Sequence, residues 1–288
     1  MKIAVASGKG GTGKTILSVN LAAYLSEFRE VVLTDLDVEE PNGGLFLKGT
    51  PAEEREIFKY IPSWDESKCT LCGQCQQNCN FHAIIQLAGQ IMVFNELCHS
   101  CFACSELCPE DALPMETQRM GSLKYLRSGR LHFVEGKLDI GQEQAVPLIS
   151  QVKEYTDAHW DNETVKIYDA PPGTSCPVIE ACKDADYVIL VTEPTPFGFH
   201  DLQLAVETMH GMNREVGVVI NRYGLGRESL IEDYCAGEKI EVLSRIPNQR
   251  KIAEVYARGG LIGPEIPEMW KSLEDIGRFL LNLKVSAG

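Results

Sequence analysis

The sequence predicts an α/β protein in which a mostly parallel, doubly wound sheet is interrupted by a small inserted α+β domain. Three observations lead to this prediction. An apolar strand at the N-terminus runs into a glycine-rich loop and a helix, later apolar strands alternate with helical segments, and eight cysteines are concentrated in one stretch. Alternating strands and helices are typical of a parallel sheet that is covered on both faces.

The composition is that of an acidic globular protein. The chain has 288 residues, a formal net charge of −14 and 44% hydrophobic residues. A nucleic-acid-binding face would require clustered basic residues, so the acidic balance argues against nucleic acid as a partner. No apolar run approaches the roughly 20 residues of a membrane-spanning helix, and the N-terminus lacks a signal-peptide pattern. We therefore expect no membrane span and a cytoplasmic location.

The first element is a phosphate-binding loop between a strand and a helix. Residues 2–7 form an apolar strand, and residues 16–25 have helical spacing without a breaker. Between them lies G-x-x-x-x-G-K-T, whose glycines let backbone N–H groups surround phosphate oxygens at the N-terminus of the helix. Lys14 would reach the β- and γ-phosphates, and the Thr15 hydroxyl would bind Mg²⁺. The nucleotide-binding residues of this loop are Gly8, Lys9, Gly10, Gly11, Thr12, Gly13, Lys14 and Thr15.

Two further buried strands end in carboxylates. Residues 31–37 close on Asp35 and Asp37, and residues 165–169 close on Asp169, which is followed by a turn that contains Gly173. Ligands bind at the carboxyl ends of the strands in open α/β sheets. These carboxylates are therefore expected near the nucleotide.

The eight cysteines form two runs of the spacing C-x2-C-x2-C-x3-C. This spacing is that of bacterial ferredoxins with two [4Fe–4S] clusters, in which the fourth cysteine of each run completes the other cluster. Zinc and disulfides are the alternatives, although zinc knuckles lack the third evenly spaced cysteine and nothing here resembles a secreted protein. The first cluster is assigned to Cys69, Cys72, Cys75 and Cys108, and the second to Cys98, Cys101, Cys104 and Cys79.

The cysteine runs are expected to form a separate domain within the larger one. Proline-containing seams predict a boundary near residues 62–64 and another near residues 114–116. We assign residues 63–117 to the insertion, and residues 1–62 and 118–288 to the nucleotide-binding domain. A domain of this size buries too little apolar surface to fold alone, so its clusters would supply folding energy.

The remaining chain continues the alternation of strands and helices. Apolar strands are predicted at residues 131–134, 187–192, 216–221 and 240–246. Near the C-terminus, apolar residues recur at helical spacing from Trp270 to Leu283, which predicts a helix packed on the core.

Taken together, these motifs resemble those of a known family. Residues 9–15 read K-G-G-x-G-K-T, the deviant Walker A motif of the MinD/Mrp/nitrogenase-iron-protein P-loop ATPases. The D-x-D at residues 35–37 and the D-x-P-x-G at residues 169–173 resemble the acidic motifs of the same family. Over essentially its whole length, the chain resembles the branch that carries an inserted bacterial-type, two-cluster ferredoxin domain.

The resemblance implies Mg²⁺-dependent hydrolysis of ATP to ADP and a role for each site residue. By this resemblance, Lys9 contacts phosphate, commonly across a dimer that sandwiches two ATP molecules. Asp37 orients the attacking water, Asp35 and Asp169 support the Mg²⁺ shell, and Gly173 senses the γ-phosphate. The residues that resemble the adenine contacts of the family are Asn221, Pro247 and Asn248.

Three functions remain open at this point. The leading hypothesis is an ATP-hydrolysing homodimer, or a heterodimer with a related ATPase, that gates electron transfer through two clusters to an unidentified redox partner. The insertion is expected to leave the sheet close to the first acidic motif. The alternatives are a scaffold for iron–sulfur or metal-cofactor assembly, and a positioning ATPase whose clusters are structural. The assembly branch carries a C-terminal C-x-x-C that this chain lacks.

Overall fold

A computed structural model describes residues 1–283 and consists mainly of one large sheet. In this part of the chain the sheet has nine strands, in the order β11-β10-β9-β1-β8-β2-β7-β6-β3. From β11 to β7 all neighbours are parallel, whereas β6 is antiparallel to both β7 and β3. The predicted mostly parallel sheet is therefore confirmed. The strands are β1 (Lys2–Ala6), β2 (Val31–Asp35), β3 (Thr50–Pro62), β4 (Ile84–Leu87), β5 (Gln90–Val93), β6 (Met115–Ser128), β7 (Leu131–Leu138), β8 (Val165–Asp169), β9 (Tyr187–Thr192), β10 (Val216–Tyr223) and β11 (Glu241–Pro247).

Helices cover both faces of the sheet. Within β1, Ile3 and Val5 pack on one face while Ala4 and Ala6 pack on the other, because successive side chains of a strand point in opposite directions. None of the helices within residues 1–283 combines the length and the apolar character that crossing a bilayer requires. The helices are α1 (Lys14–Ser26), α2 (Gln74–Gln77), α3 (Ala103–Glu106), α4 (Ala145–His159), α5 (Cys176–Cys182), α6 (Pro196–Gly211), α7 (Glu228–Glu238), α8 (Arg250–Ala257) and α9 (Pro267–Asn282).

The C-terminal helix α9 packs on the core as its spacing predicts. Leu273, Ile276 and Leu280 are almost fully buried, in the same apolar cluster as Leu17 and Leu21 of α1. The last five residues of the predicted nucleotide-binding domain, 284–288, lie outside the described residues.

The edge of the sheet is a long antiparallel hairpin that the sequence did not predict. Strands β3 and β6 pair from Thr50 with Arg127 to Pro62 with Met115. Strand β3 is mostly exposed and lacks the apolar run of the central strands, so its pattern carries no strong strand signal. The inserted segment leaves from the end of this hairpin. We expected the insertion to leave the sheet beside the first acidic motif, which follows β2. Instead it leaves from β3, and β7 and β6 lie between β2 and β3.

The hairpin nevertheless points toward the end of the sheet where the acidic motifs lie. Strand β3 runs in the same direction as β2, because the direction reverses once between β7 and β6 and again between β6 and β3. Gly121 pairs with both Leu138, the last residue of β7, and Ile57. Residues 58–62 therefore extend roughly 17 Å past the carboxyl edge, and three strand spacings place β3 about 14 Å to the side of β2.

Residues 63–114 form a small segment with an internal structural repeat. It contains helices α2 and α3, the two-stranded sheet of β4 and β5, and a buried cluster of Ile84, Ile91, Cys104 and Leu113. Positive φ angles recur at equivalent positions of the two cysteine runs, at Leu71 and Ser100, Gly73 and Phe102, and His82 and Asp111. Strand β6 already begins at Met115, three residues before the predicted boundary at residue 118.

Candidate functional site

The loop between β1 and α1 has a conformation that only glycine tolerates at critical positions. Gly13 has φ +97°, and a Cβ atom there would lie 2.4 Å from Nδ2 of Asn221. At Gly8, a Cβ atom would lie 2.1 Å from the carbonyl oxygen of Asp201. The sequence therefore selects glycine both for backbone conformation and for close approach of neighbouring elements. Lys14 begins α1, so the loop ends at a helix N-terminus.

This loop forms one wall of a cleft of about 460 Å³. The cleft brings together residues from five separate parts of the chain, all at the carboxyl edge of the sheet. Residues that the sequence did not single out, including Arg222, Gln249 and Tyr256, complete its lining. The sequence-predicted residues that line it are Gly10, Gly11, Gly13, Lys14, Thr15, Asp37, Asn221, Pro247 and Asn248.

Two carboxylates are held side by side at the ends of adjacent strands. Asp35 of β2 and Asp169 of β8 are register partners, and both are almost fully buried. The Asp35 carboxylate accepts N–H hydrogen bonds from Asp37 (3.1 Å), Asn42 (3.1 Å) and Gly43 (2.8 Å). Burial, followed by the charge of Asp169, raises the pKa of Asp35 well above its usual range even though these hydrogen bonds favour the ionised form. Through these three hydrogen bonds Asp35 anchors the loop that follows β2.

Asp169 keeps one carboxylate oxygen free. Its Oδ1 accepts a hydrogen bond from the Ser18 hydroxyl (2.9 Å), whereas Oδ2 is buried and has no hydrogen-bond partner among the described residues. Burial raises the pKa of Asp169 to about 6, while the Thr15 side chain and the charge of Lys14 act to lower it. A buried oxygen without a partner is costly, so this atom suits a water molecule of a hydrated cation.

Lys14 supplies a buried positive charge in the cleft. Its side chain is buried, and burial lowers the pKa of its ammonium group, while Asp169, Asp37 and Asp35 act in the opposite direction. Burial raises the pKa of the half-buried Asp37 above its usual value, and the charge of Lys14 offsets this only in part. One lysine thus faces three carboxylates, a balance that a bound Mg²⁺ and phosphates would complete.

Lys9 is held by a carboxylate that sequence reasoning missed. Its Nζ lies 2.5 Å from Oε1 of Glu193, which follows β9 and has a side chain only 10% exposed. The other oxygen of Glu193 lies 2.7 Å from Nη1 of Arg222, whose backbone φ is +53°. Arg222 also donates from Nη2 to the carbonyl oxygen of Gly11 (3.3 Å). The only available signal was an acidic residue at the carboxyl end of a strand.

Asn221 and Gly173 are engaged within the protein in this structure. Nδ2 of Asn221 donates to the carbonyl oxygen of Thr12 (2.7 Å), and its Oδ1 accepts the N–H of Arg222 (2.8 Å). Asn221 thereby braces the loop in addition to lining the cleft. The N–H of Gly173 donates to the carbonyl oxygen of Ser7 (3.0 Å), and Gly173 does not line the cleft.

The eight cysteines of the inserted segment line two small cavities, four to each. The three closely spaced cysteines of each run meet the last cysteine of the other run, which is the grouping that the sequence predicts. One cavity is lined by Cys69, Cys72, Cys75 and Cys108, and the other by Cys79, Cys98, Cys101 and Cys104.

Backbone N–H groups point at several of these sulfurs. Ala83 donates to Sγ of Cys79 and Ala112 donates to Sγ of Cys108, both at 3.3 Å and at equivalent positions of the repeat. Burial raises the pKa of the Cys104 thiol to about 11, so a positive group is needed to hold it as a thiolate. Within residues 1–283, no group of three or more His, Cys, Asp or Glu side chains is arranged to hold a single metal ion.

Comparison with known proteins identifies the family. The CobQ/CobB/MinD/ParA nucleotide binding domain matches residues 3–262. The chain belongs to this family. Two uncharacterized proteins of Methanocaldococcus jannaschii are also similar. MJ0579 is 30% identical over 266 residues, covering 90% of each chain, and MJ0578 is 32% identical over 228 residues, covering 78% of this chain and 79% of its own.

Solved structures share the fold at low identity. The septum site-determining protein MinD of Pyrococcus horikoshii, complexed with Mg-ADP, has a TM-score of 0.60 at 18% identity, with 97% of this chain and 95% of that chain covered. The cell division ATPase MinD of Pyrococcus furiosus has a TM-score of 0.59 at 20% identity, with 96% and 98% covered. These similarities establish the α/β P-loop architecture of the chain.

Proposed function

We propose that the protein binds ATP with Mg²⁺ in the cleft and hydrolyses it. The observation that carries this proposal is that Lys14 and Asp37 line the cleft and both act electrostatically on the buried Asp169, one of whose oxygens has no hydrogen-bond partner among the described residues. The bound Mg²⁺ supplies neutralisation of phosphate charge. Membership of a nucleotide-binding family supports the same conclusion.

In this proposal each residue has a defined task. The loop amides and the N-terminus of α1 receive the phosphates, and Lys14 contacts the β- and γ-phosphoryl oxygens. The Thr15 hydroxyl would bind Mg²⁺, and Asp169 and Asp35 would support its shell of water. Asp37 orients the attacking water, because it lines the cleft and is only half-buried.

We further propose that Lys9 acts across a nucleotide-dependent dimer, with a second copy or a related ATPase as partner. In this structure Lys9 is paired with Glu193 within its own chain. Reaching a phosphate of the neighbouring subunit requires that this ion pair open. Dimer formation would then depend on the nucleotide.

For the inserted segment we propose two [4Fe–4S] clusters, which would carry electrons one at a time to an unidentified redox or metal-cofactor partner. The support is the grouping of the cysteines into two fours, with the last cysteine exchanged between runs. A four-iron cube holds its thiolates farther apart than a single ion does, so the lack of a single-ion geometry is compatible with it. Thiolate ligation suits a reducing compartment such as the cytoplasm.

A specific observation favours a second candidate, a positioning ATPase whose clusters are structural. The solved structures with this fold include cell-division MinD proteins and a putative plasmid partition protein of Borrelia burgdorferi. Against this, the inserted segment extends past the same edge of the sheet as the nucleotide cleft. A nucleotide-driven movement could therefore alter the surroundings of the clusters.

The two candidates are separated by whether nucleotide and clusters influence each other. Anaerobically purified protein should contain about eight irons and eight sulfides per chain, from two clusters of four each. Redox titration followed by EPR, under ADP and under a non-hydrolysable ATP analogue, should give different midpoint potentials if the clusters are gated. Reciprocity then requires nucleotide affinity to change with cluster oxidation state by the same coupling free energy. Equal midpoints and equal affinities would contradict gating and leave the clusters as structural elements or as electron carriers that work independently of the nucleotide.

A further inference from the structure

Lys59 is a buried cation on the strand that leads into the inserted segment. It lies on β3, and although its neighbours Phe58 and Tyr60 are exposed, Lys59 itself is only 3% exposed. Buried lysines are rare unless they are paired with an opposite charge. The position therefore calls for a compensating group.

The protein itself offers no carboxylate partner close to this ammonium group. Among the described residues, no carboxylate oxygen lies within ion-pair distance of Nζ of Lys59. Its hydrogen bond goes to the carbonyl oxygen of Asn95 (2.8 Å), which also accepts the N–H of Cys98 (3.3 Å). The ionisable groups that act on Lys59 are Cys98 and the exposed Glu96. A buried ammonium without a counter-charge is costly, so an anion is expected next to Cys98.

The two cysteine runs differ in the charged side chains beside them, although their backbone conformations repeat. The second run is attached to β3, where the Ser100 hydroxyl donates to the carbonyl oxygen of Tyr60 (2.6 Å) and the ring of Phe102 lies 5.5 Å from that of Tyr60. The first run has Lys68 beside Cys69, but that side chain is 54% exposed and lies near Asp65. Solvent and Asp65 therefore screen the charge of Lys68.

We propose that Lys59 is the counter-charge of the cluster held by Cys79, Cys98, Cys101 and Cys104, and that it selectively raises the reduction potential of this cluster. The inference rests on the proposed clusters. Four thiolates give such a cluster a net negative charge, and reduction adds one more. A buried positive charge nearby stabilises the reduced form more than the oxidised form. Lys59 thus makes the two clusters of the repeat electronically different.

The test uses three variants of the full, cluster-loaded protein. Lys59→Gln removes the charge and keeps a hydrogen-bond donor for Asn95, and Lys59→Arg keeps the charge. Lys68→Gln removes a lysine next to the other cluster and is the matched control. Anaerobic redox titration followed by EPR measures both midpoint potentials, and iron and sulfide analysis checks the cluster content of each sample.

We expect one of the two midpoints to fall in Lys59→Gln while the other stays, with Lys59→Arg close to the wild type and Lys68→Gln nearly unchanged. If both midpoints stay, or if both move equally, the inference is overturned while the clusters themselves stand. A shift in Lys59→Arg as large as that in Lys59→Gln would indicate a packing effect and would also overturn it. A wild-type protein that takes up no four-iron cluster would overturn the proposed clusters and this inference together.

Discussion

At the scale of single residues, the cleft is defined by charges that burial keeps close together. Lys14 faces Asp35, Asp37 and Asp169. Burial lowers the pKa of the lysine and raises the pKa of the three carboxyl groups, so it favours the neutral form of each. Such shifts are typical of sites in which a bound ligand completes the charge balance. The individual side chains therefore have separable effects on binding and on hydrolysis.

Lys14 and Asp37 should differ in the step that they affect. Lys14→Ala removes a charge-assisted contact to the phosphates, so ATP affinity should fall about 10- to 100-fold. Asp37→Asn should keep ATP bound and slow hydrolysis by about 10²- to 10⁴-fold, because only the orientation of water is lost. Calorimetry and a phosphate-release assay measure the two quantities, with the exposed Lys124→Ala as control. Unchanged hydrolysis in Asp37→Asn would remove Asp37 from the mechanism.

Asp169 should make the nucleotide-free, Mg²⁺-free protein less stable as the pH rises. Its pKa in the folded protein is about 6, raised from 3.8, so the folded state binds the proton more tightly than the unfolded state. Stability from this group is full below pH 4 and declines as pH rises toward 6. Asp169→Asn should remove this decline and raise stability at pH 7.5 by up to about 3 kcal/mol. Thermal melts between pH 4.5 and 7.5 provide the measurement, and an equal slope in both proteins would contradict the assignment.

Glu193 should restrain the dimer by holding Lys9. Glu193→Gln weakens both the Lys9 and the Arg222 ion pairs, so Lys9 becomes available to a neighbouring subunit. We expect ATP-dependent dimers to form at severalfold lower protein concentration, as measured by analytical ultracentrifugation. Glu232→Gln, which breaks a remote ion pair with Arg245, is the control. Dimer formation that is equal in wild type and Glu193→Gln would argue against this restraint.

At the scale of elements, the β3–β6 hairpin connects two structures of different character. Residues 50–57 of β3 form the edge of the large sheet, and residues 58–62, which include Lys59, lead into the inserted segment. Pro62 and Met115 are still register partners, and the N–H of Ser63 donates to the carbonyl oxygen of Pro114 (2.8 Å). The two ends of the insertion are therefore adjacent.

Removing residues 63–114 should leave a folded nucleotide-binding domain. Because opposite residues of an antiparallel pair lie about 5 Å apart, an Asn-Gly turn can join residue 62 to residue 115. The shortened protein should bind ATP with nearly wild-type affinity and contain no iron, as measured by calorimetry and metal analysis. A shortened protein that aggregates or loses ATP binding would mean that the insertion is needed for the sheet itself.

At the scale of the whole molecule, the two parts are stabilised by different means. The sheet buries extensive apolar surface on both faces, whereas residues 63–114 bury only a small cluster around Ile84 and Ile91. A segment with so little core is expected to depend on metal for its stability. Removal of iron should therefore destabilise residues 63–114 and leave the stability of the large sheet nearly unchanged.

Hydrogen exchange measures the local stability of each part of the molecule. After anaerobic removal of iron, amides of residues 63–114 should exchange much faster, while those of β1, β2 and β8 should keep their protection. Reconstitution with iron and sulfide should restore slow exchange. Slow exchange throughout residues 63–114 in iron-free protein would show that the segment folds without clusters.

Features that depend on local spacing could be predicted from the amino-acid sequence. The glycine loop, the carboxylates that close β2 and β8, the exchanged grouping of cysteines and the apolar face of α9 could all be predicted, because a few neighbouring residues specify each. The three-dimensional fold was needed to reveal the strand order, the β3–β6 hairpin, the pairing of Lys9 with Glu193 and the burial of Lys59 beside Cys98. These depend on the register between strands distant in sequence, and exposed edge strands such as β3 carry no apolar pattern that would indicate their partners.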